Sequence, residues 1–435
     1  MNAPIARPDG QFRAALVTGN KYVFRSMYVP MLPSISRLAS VTAYVLDYPP
    51  AYEIKPILAD LERRGLIEGY RMLPQRGLAH HRAAARFSRQ LARQRIDLLI
   101  VDCDYEPMSQ YFISAARECG ARVVAIQSAL PGRLIGAFHK HGDRAIVEPG
   151  PGRIRRLGRL GRRLLSRRGL AALRHWVRCV AVQRVRSVLN RGVFPLVTAG
   201  RVLRPQPFDR LGFASTRVDA ALVFEEGIRA ALRHFVPTLD VIVVRHPLAD
   251  NCRCDRTAKS KLLVVLGGPW AHYITAVNSA ASIEDRWVAA ITRAVDLLGP
   301  SEVHIRPHPR ETGPYPESLA ARVEALGVAV RLVSPRDGTI ADVVCNYAGV
   351  IGPFSGALAE AAAACRRAFV VGLDAVEEPA GGPSVGYADG IVHKPAGTVL
   401  EAADFQKLWQ LDDGVPPVAD ALRTLMRAHA EGHDA

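Results

Sequence analysis

The sequence predicts an α/β protein built as two tandem units, each a parallel sheet covered by helices. Three observations lead there. Apolar runs of strand length recur with helical segments between them. Several of those runs are almost continuous rather than alternating, as in strands buried on both faces. The alternation also restarts after a polar, irregular stretch, "LADNCRCDRTAKS" (Leu248–Ser260). At 435 residues the chain is too long for one ordinary core and suits two or three domains. With 49% hydrophobic and 23% charged residues, the composition excludes a disordered chain.

In order, "FRAALVTG" (Phe12–Gly19) and "VTAYVLDYP" (Val41–Pro49) read as strands, and "AYEIKPILADLERRG" as a helix. "YRMLPQ" suits a short strand, and the Ala/Arg-rich "HHRAAARFSRQLARQR" a helix leading into "IDLLIVDCD" (Ile96–Asp104), a nearly continuous apolar strand. "PMSQYFISAARECG" opens on Pro107 and closes on Gly120, the usual punctuation of a helix. "ARVVAIQ" (Ala121–Gln127) is the next strand, and "VDAALVFEEGIRAALRHF" with "LDVIVVRHP" adds a strand–helix–strand unit. The second series begins at "KLLVVLGGPW" (Lys261–Trp270), followed by a helix with Trp287, Ile291, Ala294 and Leu298 on one face. Strand "EVHIRPHP", helix "PESLAARVEALG", strand "VAVRLVS", helix "TIADVVCNY", strand "GVIGP", helix "SGALAEAAAAC" and strand "AFVVGL" complete it. The division that follows is a first domain over 1–250, with a basic helical insert at about 150–208, and a second over 251–435.

The formal charge is +16, and one block accounts for nearly all of it. From Pro149 to Phe208 there are fifteen arginines and no Asp, Glu or Lys. Ile154, Leu157, Leu160 and Leu164, then Leu173, Trp176, Val177 and Val180, recur at helical spacing, so the block reads as one or two basic amphipathic helices. It can be a solvated face of its own domain, a nucleic-acid contact, or an attachment to an anionic inner membrane. Membrane attachment through 153–191 is the expectation, because no nucleic-acid reading module accompanies the charge. No apolar run reaches the ~18–20 residues that span a bilayer, and the first residues lack a signal-peptide core, so a cytoplasmic location is expected. The seven cysteines are scattered, which suggests reduced, mostly buried thiols. Cys252 and Cys254 are too closely spaced for common zinc sites, and no metal is expected. The closest approach to an aspartate pair, Asp102-Cys103-Asp104, reads as a strand-end loop.

Three loops at strand C-termini carry candidate chemistry. In "VFEEGI", Glu225 and Glu226 stand side by side, where like charges raise each other's pKa and one carboxylate can serve as a general base. The same glutamates also suit an ordinary helix N-terminus. In "VHIRPHPRETGPYPE", Pro307 and Pro309 hold His308 rigid between Arg306 and Arg310, a setting suited to a phosphate. In "VIGPFSGALAEAAAAC", Ser355 and Gly356 open a helix whose free N–H groups and dipole attract an anion, with Glu360 a turn further on. A second His-Pro, His246-Pro247, reads as the structural crossing between the two units.

An acid pair in the first unit, then His-Pro and a serine at a helix start in the second, resembles the bacterial sialyltransferases that share a D/E-D/E-G motif, an HP motif and a serine motif. Capsular polysialyltransferases and lipooligosaccharide sialyltransferases are of this kind. The HP-then-Ser arrangement is also similar to that of capsule Kdo transferases and CDP-glycerol glycerophosphotransferases. "FEEGI" and "IRPHPRE" carry the resemblance, and the layout agrees over most of residues 12–400. It implies a GT-B fold, two Rossmann-like domains facing across a cleft, as the two tandem units also suggest. It implies inverting, metal-independent transfer of a sialic acid-like sugar from a CMP-activated donor to a cell-surface glycan or lipid-linked glycan. By the same resemblance Glu226 is the base, His308 binds and protonates the CMP phosphate, and Ser355 binds that phosphate. Glu225, Arg306, Pro309, Arg310, Gly356 and Glu360 are supporting positions. The serine motif usually has a second hydroxyl residue where this chain has Gly356. The donor is a substrate, and no cofactor is implied. The alternatives are a CMP-Kdo or CDP-glycerol type transferase and, from another class, a non-catalytic or nucleic-acid-binding protein with a GT-B-like body.

Overall fold

The computed structural model describes residues 11–19, 23–47, 54–74, 77–102, 107–127, 218–224, 226–251, 260–266, 280–308, 314–335, 337–353, 356–365, 368–373, 391–394, 399–406 and 414–431. The basic block, with its expected amphipathic helices and membrane attachment, lies outside them.

Seven strands form the first sheet: β1 (Phe12–Thr18), β2 (Ala39–Asp47), β3 (Gly69–Pro74), β4 (Leu98–Val101), β5 (Arg122–Ile126), β6 (Ala220–Val223) and β7 (Asp240–Val243). Their order is β3-β2-β1-β4-β5-β6-β7, and every pairing is parallel. Six more form the second: β8 (Lys261–Val265), β9 (Glu302–Arg306), β10 (Ala329–Leu332), β11 (Gly349–Pro353), β12 (Phe369–Leu373) and β13 (Ile391–Lys394), in the order β10-β9-β8-β11-β12-β13, again all parallel. These are two Rossmann-like sheets, and the α/β, GT-B expectation is met.

The continuous apolar runs are explained by burial on both faces. In β1, Ala15 and Val17 enter one core while Ala14 and Leu16 enter another on the opposite face. Leu263 and Val265 of β8 likewise face one layer, and Leu262 and Val264 the other. The helices covering the first sheet are α1 (Val29–Ile35), α2 (Ile54–Arg63), α3 (Gly77–Gln94), α4 (Pro107–Glu118) and α5 (Glu226–Phe235). Those of the second are α6 (Ala280–Leu298), α7 (Tyr315–Glu324), α8 (Ile340–Val343) and α9 (Gly356–Ala364). In α6, Trp287, Ile291 and Ala294 are buried as the spacing predicts, but Leu298, in the last turn, is exposed.

Two helical segments have no counterpart in the sequence reading. A π-helical turn, Phe24–Tyr28, runs directly into α1, which contains Pro30 and Pro33. Prolines normally punctuate helices, and here they mask one. Far down the chain, α10 (Val418–Glu431) returns to the first sheet and inserts Val418, Ala421, Leu422, Leu425 and Met426 among the residues of β1, β2 and α1.

The cysteines correct the expectation of reduced thiols. Cys345 and Cys365 each take part in a disulfide, whereas Cys119 is a free, half-buried thiol. Cys345 lies in the 3₁₀ turn Val344–Asn346 and packs against the apolar cluster in which Cys365, just after α9, is buried.

Candidate functional site

Parallel strands place all their C-terminal ends on one edge. In such sheets ligands bind where the strand order reverses, here beyond β1 and β4 in the first sheet and beyond β8 and β11 in the second. At the first point the Thr18 hydroxyl donates to Asp102 at 2.6 Å, both side chains buried. Asp102 therefore ties two strand ends together, in keeping with a strand-end loop.

Immediately beyond β1, the π-helical turn crosses to the second sheet. Arg25 approaches Asp342 of α8 at 3.6 Å, and the Ser26 hydroxyl bonds the carboxyl of Glu360 on α9. Glu360 is half-buried, and its pKa is pushed up to about 7. Burial is the largest cause; the Ser26 bond and the Arg306 charge oppose it, and Asp342 adds to it. A carboxyl that titrates near neutrality can hold or release a proton under ordinary conditions.

Arg306 organises the surroundings of this contact. Its side chain is buried and donates to the carbonyl of Pro335 at 3.0 Å and to that of Gly338. The clamped loop leads into a capping box, in which the Thr339 N–H donates to Asp342 at 2.6 Å and the Asp342 N–H to the Thr339 hydroxyl at 3.2 Å. Gly338 has φ +116°, a conformation that favours glycine. Arg306 thus fixes the loop that presents Asp342 to Arg25.

His308 follows β9 behind Pro307 and is half-buried. Gly356 begins α9, as the helix start was read. The ends of β9 and β11 flank β8, so at ordinary strand spacing they stand about 10 Å apart. Helix α9 can approach the sheet closely because Gly352 has no side chain: a Cβ there would sit 3.0 Å from Leu358 Cδ2 and 3.1 Å from the Val265 carbonyl. Glu225, Pro309, Arg310 and Ser355 lie outside the described residues.

Glu226 opens α5, and its carboxylate is exposed and ion-paired with Arg229 one turn along. Nearby, the Phe224 ring packs on His246 at 4.7 Å. Burial pushes the His246 pKa down to about 3, so the ring is neutral, and the Leu248 N–H donates to its Nδ1 at 3.3 Å. The 3₁₀ turn that follows, Pro247–Asn251, touches α9, α1 and the π-helical turn. The second His-Pro accordingly stands in the chain's passage between the sheets.

Arg25, Ser26 and Asp342 have no motif to betray them. Their significance comes from two sheets meeting, and only the polar pair Arg25-Ser26 inside the apolar stretch "VFRSMYVPM" hints at it. Among the described residues no cluster of three or more His, Cys, Asp or Glu is arranged to hold a metal ion, and no helix is long and apolar enough to cross a membrane.

No protein-family model and no curated protein matches the chain. Solved structures of similar layout include the UDP-GlcNAc 2-epimerase from Neisseria meningitidis bound to UDP-GlcNAc, at 11% identity and TM-score 0.47, covering 95% of this chain and 91% of that one. The Medicago truncatula UGT71G1 complex with UDP-glucose has 9% identity and TM-score 0.42, covering 96% and 93%. The lipopolysaccharide outer core galactosyltransferase WaaB has 11% identity and TM-score 0.39, covering 89% and 87%. Likenesses this distant transfer no activity to this chain.

Proposed function

We propose that the protein is an inverting, metal-independent glycosyltransferase that moves a sialic acid-like sugar from a CMP-activated donor to a cell-surface glycan or lipid-linked glycan. The observation that carries this reading is the meeting of Ser26 and Glu360. One polar contact, with Arg25, Asp342 and Arg306 around it, joins the ligand-binding edges of two Rossmann-like sheets. The resemblance in the D/E-D/E-G, HP and serine motifs supplies the chemistry.

In this reading residues 251–435 hold the nucleotide and residues 1–250 the acceptor. The donor phosphate lies between the ends of β9 and β11, contacted by His308, Pro309, Arg310, Ser355 and the N–H groups at Gly356. Glu360, protonated below about pH 7, donates a hydrogen bond to a donor hydroxyl. The acceptor hydroxyl oxygen attacks the anomeric carbon as the bond from that carbon to the phosphate oxygen breaks. Glu226 takes the hydroxyl proton, with Glu225 beside it, and CMP leaves with its charge neutralised by the His308 imidazolium and the α9 dipole. Arg306 acts through the loop it clamps. Because the Glu226 carboxylate is engaged by Arg229, the base role requires the acceptor to draw it away.

The test is a thermal-shift screen against CMP, CDP, UDP and GDP, followed by product mass analysis with the matching sugar donors. A rise in melting temperature with CMP, proportional to ln(1 + [L]/Kd), and a glycosylated product support the reading. Glu226→Gln and His308→Ala are expected to lower kcat by roughly 10²-fold or more with folding intact. Absence of any nucleotide response, or full activity in both variants, refutes it.

A further inference from the structure

Helix α3 carries a feature that the transferase reading does not use. Its eighteen residues contain four arginines and no Asp, Glu or Lys. Arg82, Arg86, Arg89 and Arg93 follow one another at intervals of four, three and four, so they stand in a single file about 16 Å long on one face. All four are exposed, whereas Ala84, Phe87 and Leu91 on the opposite side are buried in the first sheet's core.

Among the described residues nothing acidic offsets these charges. On α2, α5, α7 and α10 an arginine pairs with a carboxylate: Arg63 and Arg64 with Asp60, Arg229 with Glu226, Arg322 with Glu284 and Asp285, and Arg423 with Asp420. None of the four on α3 has an acidic partner among the described residues. Arg86 lies over the Phe87 ring at 4.5 Å, and Arg89 donates to the Ala85 carbonyl at 3.0 Å. Like charges three and four residues apart destabilise a helix, so the row costs the fold something that an opposing anionic layer would offset.

We infer that α3 is a membrane-facing helix, with Arg82, Arg86, Arg89 and Arg93 resting on the phosphates of an anionic phospholipid surface. Ala79, Ala83, Ala85 and Gln90 beside the row are small or modest in size, which helps a flat surface approach closely. Headgroup phosphates are satisfied by charge alone. A nucleic acid also wants stacking or base contacts, and the helix's only ring other than histidine, Phe87, is buried. The placement suits the transferase as well. α3 covers one face of the first sheet, while the π-helical turn and α1, which meet the second sheet's elements, cover the other. A docked α3 leaves the Ser26–Glu360 junction open.

The experiment is co-sedimentation of the full chain with vesicles of phosphatidylcholine, with and without phosphatidylglycerol, at low and high salt. Wild type is expected to bind only the anionic vesicles and to weaken as salt rises. Replacing all four arginines by Gln is expected to weaken binding by about fivefold per arginine, and the fourfold Arg→Lys variant to retain it. Circular dichroism reports folding; should the fourfold Gln variant misfold, Arg82→Gln/Arg86→Gln gives the same readout with half the charge removed. Unchanged vesicle binding in the folded Gln variant overturns the inference, and so does equal binding of wild type to neutral vesicles. Loss of oligonucleotide binding with vesicle binding intact overturns it in favour of a nucleic acid.

Discussion

Ser26, in the turn after the first strand, bonds the carboxyl of Glu360, a residue of the helix that follows the eleventh. The contact links two halves of the chain through a group that titrates near neutrality, and this makes the junction sensitive to pH.

The first expectation is a stability profile. Glu360 has its folded pKa raised to about 7, above the usual carboxyl value, chiefly by burial. The folded state therefore holds the proton more tightly than the unfolded chain. The resulting stability is fully present below about pH 4.5 and is lost as pH rises through about 7. Melting curves across that window should show wild type declining and Glu360→Gln, which mimics the protonated form, nearly flat. Parallel slopes in the two proteins would contradict the assignment.

His246 should act in the opposite sense. Burial holds its pKa down at about 3, below the usual 6.5. Stability from this group is present above pH 6.5 and falls as acid protonates the unfolded chain first. His246→Gln should lose some stability at neutral pH through the Phe224 contact, and should soften the decline between pH 6.5 and 3 seen in acid titrations followed by fluorescence.

Gly349→Ala tests the packing beneath the site. A Cβ at this position would sit 2.1 Å from two carbons of the Phe369 ring. Overpacking of this kind costs about 1–3 kcal/mol or more. Urea denaturation should report it, and adding Phe369→Leu should recover part of the loss. A Gly349→Ala variant as stable as wild type would mean that the β11–β12 pair relaxes freely.

Arg306 separates a clamp from a phosphate ligand. Each hydrogen bond from a charged group contributes about 1.5–3 kcal/mol, so losing those to the Pro335 and Gly338 carbonyls in Arg306→Gln should lower the melting temperature clearly. Arg306→Lys keeps the charge but not the fork that spans two carbonyls, so it should not restore stability. If Lys rescues nucleotide affinity and Gln leaves stability untouched, the side chain serves the ligand instead.

How much of this was legible beforehand depended on the range of the interaction. The runs in β1, β4 and β8 declared two-sided burial, and Trp287, Ile291 and Ala294 declared a helix face, because neighbours in sequence set both patterns. The prolines in α1 obscured a helix, and α10 gave no sign of where it packs, since its apolar face is complementary to a surface made by residues about 400 positions earlier. Gly356 began a helix as read, whereas Arg306, read from sequence as a phosphate contact, also has carbonyl partners 29 and 32 residues away. Ser26 was marked only as a polar residue in an apolar stretch, and Asp342 carried no local sign of its place at the junction.

The return of α10 bears on how the protein comes into being. Leu422, Leu425 and Met426 seal a face of the first sheet, yet they are synthesised after every strand of the second. A nascent chain emerging from the ribosome keeps that oily wall uncovered throughout translation of the intervening residues. The amino-terminal layer is finished by a helix made after the second sheet, so maturation of the two halves is concerted, and a polypeptide lacking 418–431 would leave the earlier-made part sticky.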